Sequence, residues 1–266
     1  MEKAEISASE GRLAAVVDLV PVASTVADVG TDAALLPRML LEAGRIRRCI
    51  ASDHNETSLA TARRLSERHL DSGSLELRGA TGLQALSLDD GVEVITITGL
   101  GARATIRILD DERLATLAPR RLVLQPQTEP SRLRRWLVDH GYSIVDEVLR
   151  REGRHFYVVV AAEPRPDAVL ASQGALDAED LLEAGPCLVR SGDPLVREYW
   201  ERALRREQRT LERCGGGERA SRSRHRRDRA LRVLAELSRR DEAAPPSDIL
   251  QCCCDVGKSR GGKPDA

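Results

Sequence analysis

The chain has 266 residues, 41% of them hydrophobic and 31% charged, enough to bury a sizeable core without disulfides or a structural metal. No run approaches the roughly 18–20 apolar positions of a membrane span, and the polar start MEKAEISASEGRL lacks the layout of a secretory leader, so the cytoplasm is the expected location. The net charge of -1 conceals a division, because residues 1–185 sum to -7 whereas residues 186–240 carry 16 Arg against 8 acids.

In chain order, residues 9–20 read as a short amphipathic helix stopped by Pro21. TVADVG (25–30) is an apolar strand running into a turn, and residues 33–43 form a helix that tolerates Pro37 in its first turn and stops at Gly44. RCIASD (48–53) is a second strand ending on an acid. Asn55 or Thr57 caps a helix that continues to about His69, with Leu59, Ala62 and Leu65 on one face. LELRGA (75–80) and GVEVITIT (91–98) are further strands, the latter followed by Gly99-Leu-Gly101 and a helix to about Leu109. RRLVLQP (120–126) is a fifth strand and 132–140 a helix. Residues 142–151 and 154–163 then pair as a hairpin about Glu152-Gly153, with no helix between them.

Alternating strands and helices closed by an antiparallel pair predict an α/β doubly wound sheet with a hairpin at one edge. From Pro164 the texture changes. A Pro/Asp/Ala linker (164–185) leads into two Arg-rich helical patterns near 194–214 and 219–241, separated by Gly-Gly-Gly. These predict an antiparallel helical hairpin over 186–241, with Leu204, Leu211, Leu231, Leu234 and Leu237 in its seam. Residues 242–266 are expected to be a disordered tail. The basic block points to a polyanionic partner, or else to a solvated helical face in which Glu198, Glu201, Glu207 and Glu212 pair with the arginines. Aromatics make up only 2% of the chain, against a reader that stacks many bases on exposed rings, and Trp136 and Phe156 are expected to pack. None of the six cysteines has CxxC spacing, and three adjacent thiolates at 252–254 cannot readily face one ion, so no metal is expected.

In a doubly wound sheet, ligands bind beyond the carboxyl ends of the strands, where strand order reverses. The loop after the first strand, Asp28-Val-Gly30-Thr31-Asp32, has one glycine rather than a dinucleotide fingerprint, and its acids would repel a pyrophosphate. Carboxylates there suit S-adenosylmethionine, whose ammonium and sulfonium are positive. Asp53 is placed to accept hydrogen bonds from a ribose diol, Thr81 and Gly82 to lie beside adenine, and Gly99 and Gly101 to let backbone approach the sulfonium. The ordinary roles of a turn cap, a positive-φ glycine and a surface acid remain open for each residue taken singly.

The segments VADVGTDAALLP (26–37), ITITGLGARATIRIL (95–109), residues 121–163 and GPCLVRSGDPLVREYWERAL (185–204) resemble the TrmK-type bacterial tRNA adenine-22 N1-methyltransferases over roughly residues 9–214. The resemblance implies a class I methyltransferase fold, S-adenosylmethionine as donor and tRNA as acceptor. Asp28, Gly30, Asp32, Gly99, Gly101, Gln125 and Pro126 match the family pattern. Ala33 stands where the family has His, Thr81 where it has an acid, Ala102 where it has Gly and Gln127 where it has Asn. The expected catalytic residues are Asp32, accepting from the exocyclic amine or offsetting product charge, and Gln125, which could contact a base edge or shape the pocket. Phosphates are expected on Arg205, Arg206, Arg209, Arg224, Arg226 and Arg227. The departures also admit a catalytically silent RNA-binding relative. A helical hairpin that pairs only with itself would favour a methyltransferase of small molecules or proteins. An NAD-dependent oxidoreductase lacks its glycine fingerprint here, and the sequence leaves the oligomeric state open, a monomer included.

Overall fold

A computed structural model describes residues 11–165, 170–214 and 216–243. The expected tail from residue 244 on, with its cysteines at 252–254, lies outside the described residues, and residues 242 and 243 end the last helix. The chain opens with α1 (Arg12–Leu19), β1 (Ala23–Val29), α2 (Leu35–Glu42) and β2 (Ile46–Asp53), then α3 (Glu56–Leu65), α4 (Glu67–Asp71) and β3 (Leu75–Gly79). Two 3-10 turns precede β4 (Val94–Leu100), which is followed by α5 (Ala102–Leu109), α6 (Arg113–Leu117), β5 (Arg121–Pro126) and α7 (Pro130–Asp139). The hairpin β6 (Tyr142–Glu152) and β7 (His155–Pro164) leads to α8 (Ala178–Ala184), α9 (Pro186–Arg190), α10 (Pro194–Arg213) and α11 (Gly217–Ala243).

One seven-stranded sheet has the order β3-β2-β1-β4-β5-β7-β6. Its first five strands are parallel, and β7 runs antiparallel to both β5 and β6. Order reverses between β1 and β4, which opens a crevice at their carboxyl ends. The central strands β1, β4 and β5 are buried along most of their length because both faces of the sheet are covered there. Along β5, Leu122 and Leu124 face one hydrophobic layer while Val123 faces the other. The second layer is closed by Ala15 and Val16 of α1, Leu36 and Leu40 of α2 and Ala62 of α3.

Asn55 caps α3 by accepting from the Thr57 amide at 2.9 Å. The single helix expected to reach His69 breaks at Ser66, whose φ of -124° is not helical, and α4 turns Leu70 toward the same apolar layer. The hairpin loop is Gly153-Arg154, one residue later than expected, since Glu152 pairs with His155. Gly153 supplies the positive φ of +58° that so short a loop needs.

The stretch expected to be a linker carries α8, whose Leu181 is fully buried. It is held by Arg134 of α7, itself only 1% exposed. Arg134 donates through Nε to Glu147 Oε1 at 2.6 Å and through Nη1 to the carbonyls of Leu182 and Glu183 at 3.0 and 3.1 Å. The other oxygen of Glu147 accepts from the Cys187 amide at 3.0 Å. Gly185 sits against this pair, where a Cβ would lie 2.8 Å from Arg134 Nη2.

Helices α10 and α11 run antiparallel, as the pairings Arg197 with Asp241 and Glu207 with Ser223 require. Their seam uses Ala220, Ser223, Ala230, Val233 and Leu237. Leu231, expected in the seam, is 48% exposed, because the contact face advances through 223, 230, 233 and 237. Glu207 is not on a solvated face either: it is buried and accepts from the Ser223 hydroxyl at 2.6 Å. The remainder of α11 docks on α8, where Asp180 accepts from Arg229 and Arg232 at 3.2 and 2.7 Å. Those guanidiniums, Arg232 first, hold the Asp180 carboxyl below the usual carboxylate range.

Candidate active-site cleft

A cleft of about 660 Å³ opens beyond the carboxyl ends of β1, β2 and β4. Its floor begins at Asp28, the penultimate residue of β1, which is 2% exposed. One Asp28 oxygen accepts from the Thr96 hydroxyl on neighbouring β4 at 2.7 Å. Burial pushes the Asp28 carboxyl up, the Thr96 bond draws it partly back, and the charge of Asp53 raises it further.

The loop after β1 is fastened to β2. The amides of Gly30 and Thr31 donate to the Ser52 carbonyl at 2.8 and 2.9 Å. The Asp32 amide donates to Asp53 Oδ2 at 3.0 Å, and the Asn55 amide to Asp53 Oδ1 at 2.9 Å. Asp53 thus joins the loops that follow β1 and β2 while still lining the cleft. Gly30 has φ +78°, and Asp32 and Ala34 take φ of +51° and +54°. Non-glycine residues held in this region carry strain and cluster at functional sites. The Asp32 carboxylate stands exposed at the cleft, with one oxygen accepting from the Ser58 hydroxyl at 3.1 Å.

On the opposite wall, Thr81 and Gly82 face Ile108 of α5, and a Cβ on Gly82 would touch that side chain at 3.7 Å. Gly99 lines the cleft with φ +78°. Its amide donates to Gln125 Oε1 at 3.2 Å. Gln125 itself is 0% exposed and does not reach the cleft. It is the penultimate residue of a central strand covered on both faces, so its side chain is enclosed beneath the Gly99 turn. Gln127, one residue past β5, lines the cleft instead. Gly101 also lies behind the wall, where a Cβ would come within 3.0 Å of Thr128 Oγ1. Its small size lets the loops after β4 and β5 approach, and Thr128 accepts through its carbonyl from the first amide of α5 at 3.2 Å.

Two arginines at the cleft escaped sequence reasoning. Arg12 comes from α1, its backbone amide donating to Glu152 Oε1 at 2.8 Å and its guanidinium lying 5.1 Å over the Tyr157 ring. Arg107 is exposed on α5 with no ion pair among the described residues. A lone cation at the head of an apolar helix was the available signal for Arg12. Trp136 packs as expected, stacked on His140 and donating to Asp110 at 2.7 Å.

The six expected phosphate-binding arginines all lie on the helical hairpin, away from this cleft. Arg205 pairs with Glu201, Arg206 with Glu207 and Arg227 with Asp228. Arg209, Arg224 and Arg226 are exposed and make no ion pair among the described residues. Arg206 and Arg226 face a second cavity of about 740 Å³. Among the described residues no group of three or more His, Cys, Asp or Glu side chains could hold a metal, and no helix is long and apolar enough to cross a membrane.

Three acids, an apolar wall at Ile108 beside Gly82 and positive-φ glycines suit a ligand with a cationic end, a diol and a planar ring. They oppose a pyrophosphate, for which the loop offers neither free amides nor positive charge.

The family model described as TrmK, tRNA (adenine(22)-N(1))-methyltransferase, matches residues 26–236. A tRNA (adenine(22)-N(1))-methyltransferase of Bacillus subtilis strain 168 is 27% identical over 202 residues, spanning 74% of this chain and 82% of that protein. The crystal structure of a candidate tRNA (m1A22) methyltransferase from Streptococcus pneumoniae matches with a TM-score of 0.75 at 32% identity, over 85% of this chain and 99% of the other. The same protein in complex with S-adenosyl-L-methionine matches with a TM-score of 0.72 at 33% identity, over 84% and 98%.

Proposed function

Since the chain belongs to the TrmK family of tRNA (adenine(22)-N(1))-methyltransferases, we propose that it methylates N1 of an adenine in tRNA, at position 22 of the D-arm, with S-adenosylmethionine as donor. The observation that carries this reading is the acid-lined cleft at the reversal of strand order in a class I methyltransferase fold. Bound there, S-adenosylmethionine supplies an electrophilic methyl group on a positive sulfur. Asp28 and the Gly30 turn would hold its ammonium end, Asp53 its ribose diol, and Thr81, Gly82 and Ile108 its adenine. Thr81 offers adenine a neutral hydroxyl where the family has an acid, a weaker acceptor than a charged group.

Adenine N1 carries an in-plane lone pair at neutral pH, so no base has to remove a proton before attack. The protein's work is to take the base out of its stack, align N1 and offset the charge that develops on the ring. Asp32 is suited to the last task, since Ser58 occupies one of its oxygens and its carboxylate remains exposed at the rim. Gln125 acts at one remove, fixing the Gly99 amide and with it the turn that faces the transferring methyl. Gln127 takes the position open to the acceptor base. Arg205, Arg206, Arg209, Arg224, Arg226 and Arg227 supply the charge for tRNA phosphates, in the cytoplasm where tRNA is modified.

Purified protein incubated with labelled S-adenosylmethionine and bulk unmodified tRNA should form 1-methyladenosine on nucleoside analysis. Asp32→Ala should abolish the product while leaving cofactor binding by calorimetry within a few-fold. Cofactor binding without transfer by the unaltered chain would sink this reading.

A further inference from the structure

We propose that the 740 Å³ cavity between α7, α10 and α11 is a phosphate site, seating the RNA strand that leads into the methyl-transfer cleft; this rests on tRNA being the acceptor. The cations available there come from three helices: Arg132 of α7, Arg206 of α10 and Arg226 of α11. Arg226 makes no ion pair among the described residues, and Arg206 is largely exposed, touching only its neighbour Glu207. Arg132 reaches Glu129 at 3.6 Å, but Glu129 is shared with Arg103 at 3.2 Å. The acids of the lining are otherwise engaged. Glu207 turns into the hairpin toward Ser223, and Glu183 pairs with Arg229 at 3.3 Å.

A second observation names the ligand's chemistry. Trp200 lines this cavity, is 7% exposed, and its Nε1 has no acceptor among the described residues. An indole nitrogen can only donate, and a buried donor left unpaired is unfavourable. Guanidiniums from three helices, Arg226 with no ion pair among the described residues and Arg132 and Arg206 each held only by a partly engaged acid, call beside an unsatisfied donor for an oxygen-rich anion, and a phosphodiester fits both.

Position makes this anion part of the acceptor. Gln127 lines the transfer cleft and Glu129 lines the cavity, so the two open on either side of one short segment. Thr128 between them fixes that segment to the start of α5. A strand whose base enters the cleft past Gln127 therefore lays an adjacent phosphate against Arg132, Arg206 and Arg226.

The test uses the full chain and a fluorescein-labelled tRNA transcript, with anisotropy titrations at several salt concentrations. Arg132→Ala/Arg226→Ala should bind tRNA about tenfold more weakly near 100 mM salt. Its plot of log affinity against log salt should be flatter by about 1.4, two contacts at roughly 0.7 each for single strands. Trp200→Phe keeps the packing but removes the donor, and should lower kcat/KM for methyl transfer a few-fold without altering the salt slope. Cofactor affinity should stay at the wild-type value in every variant, which shows that the fold is intact. Wild-type affinity and slope in the double variant overturn the proposal. A wild-type chain that neither binds nor methylates tRNA instead removes the acceptor reading, and the cavity's assignment goes with it.

Discussion

Asp28 shows what the cleft costs the fold. Its carboxylate is buried with a hydroxyl for company and no cation, and its pKa is raised. A raised folded pKa means that Asp28's contribution to stability is whole below the unfolded value of about 3.9, and is lost as pH climbs through the folded value. At neutral pH, well above the unfolded value, burying this acid therefore opposes folding. Asp28→Asn, whose amide oxygen can still accept from Thr96, should raise the unfolding midpoint of the free chain at pH 7 by roughly 2–4 °C, about 1 kcal/mol. The same change should weaken S-adenosylmethionine binding at least tenfold. Scanning fluorimetry with and without cofactor measures both; a lower midpoint with unchanged affinity would contradict this account. Asp28, Gly30, Asp53 and Gly99 are legible because each sits at or just past the carboxyl end of a strand whose pattern is plain in the sequence. Gln125, which the sequence offers as a base contact or a pocket-shaping residue, is enclosed, since a strand covered on both faces leaves its side chain no open side. Arg12 was missed because its partners Glu152 and Tyr157 lie about 140 residues away.

At the scale of elements, the junction of α7, β6, α8 and α9 depends on one buried ion pair, Arg134 with Glu147. Removing one member of such a pair leaves a desolvated charge, which typically costs about 3–5 kcal/mol. Arg134→Ala should show that loss in urea unfolding. Arg134→Met/Glu147→Leu should recover much of it, although the Cys187 amide and the two α8 carbonyls would lose their partners. Equal loss in the single and double variants would mean that packing alone matters here. The strands are readable from apolar runs or from alternation, but α6 and α9 span five residues each, too few to show a period. The α8 segment reads as a linker by composition, and only the distant Arg134 makes it part of the core. Leu231 illustrates the converse, because an arginine-rich helix has too few apolar residues to declare which face is inside.

Across the whole molecule, the layer that packs on Leu124 and Val160 of the sheet is continuous with Trp200, Val233 and Leu237 of the helical hairpin. Calorimetry of the chain should therefore give one unfolding transition, shifted upward by S-adenosylmethionine through mass action. Two separated transitions would mean that the basic hairpin folds by itself. The change in composition at Pro164 marks where strands give way to helices and the charge reverses from residue 186, and the sequence pattern makes both visible. What it could not convey is that the apolar layer crosses the boundary, since the residues involved are far apart in the chain and scattered among arginines.

The topology also imposes an order in time. The residues lining the transfer cleft run from Arg12 to Gln127, and those lining the neighbouring cavity from Glu129 to Arg229. During synthesis the ribosome releases every residue of the donor's pocket before the first residue of the RNA cavity. Strand β6 must wait longer for its place, because β7, made after it, lies between it and β5. A nascent chain thus holds all the lining of the donor site while its sheet is still open at the edge that will carry the acceptor.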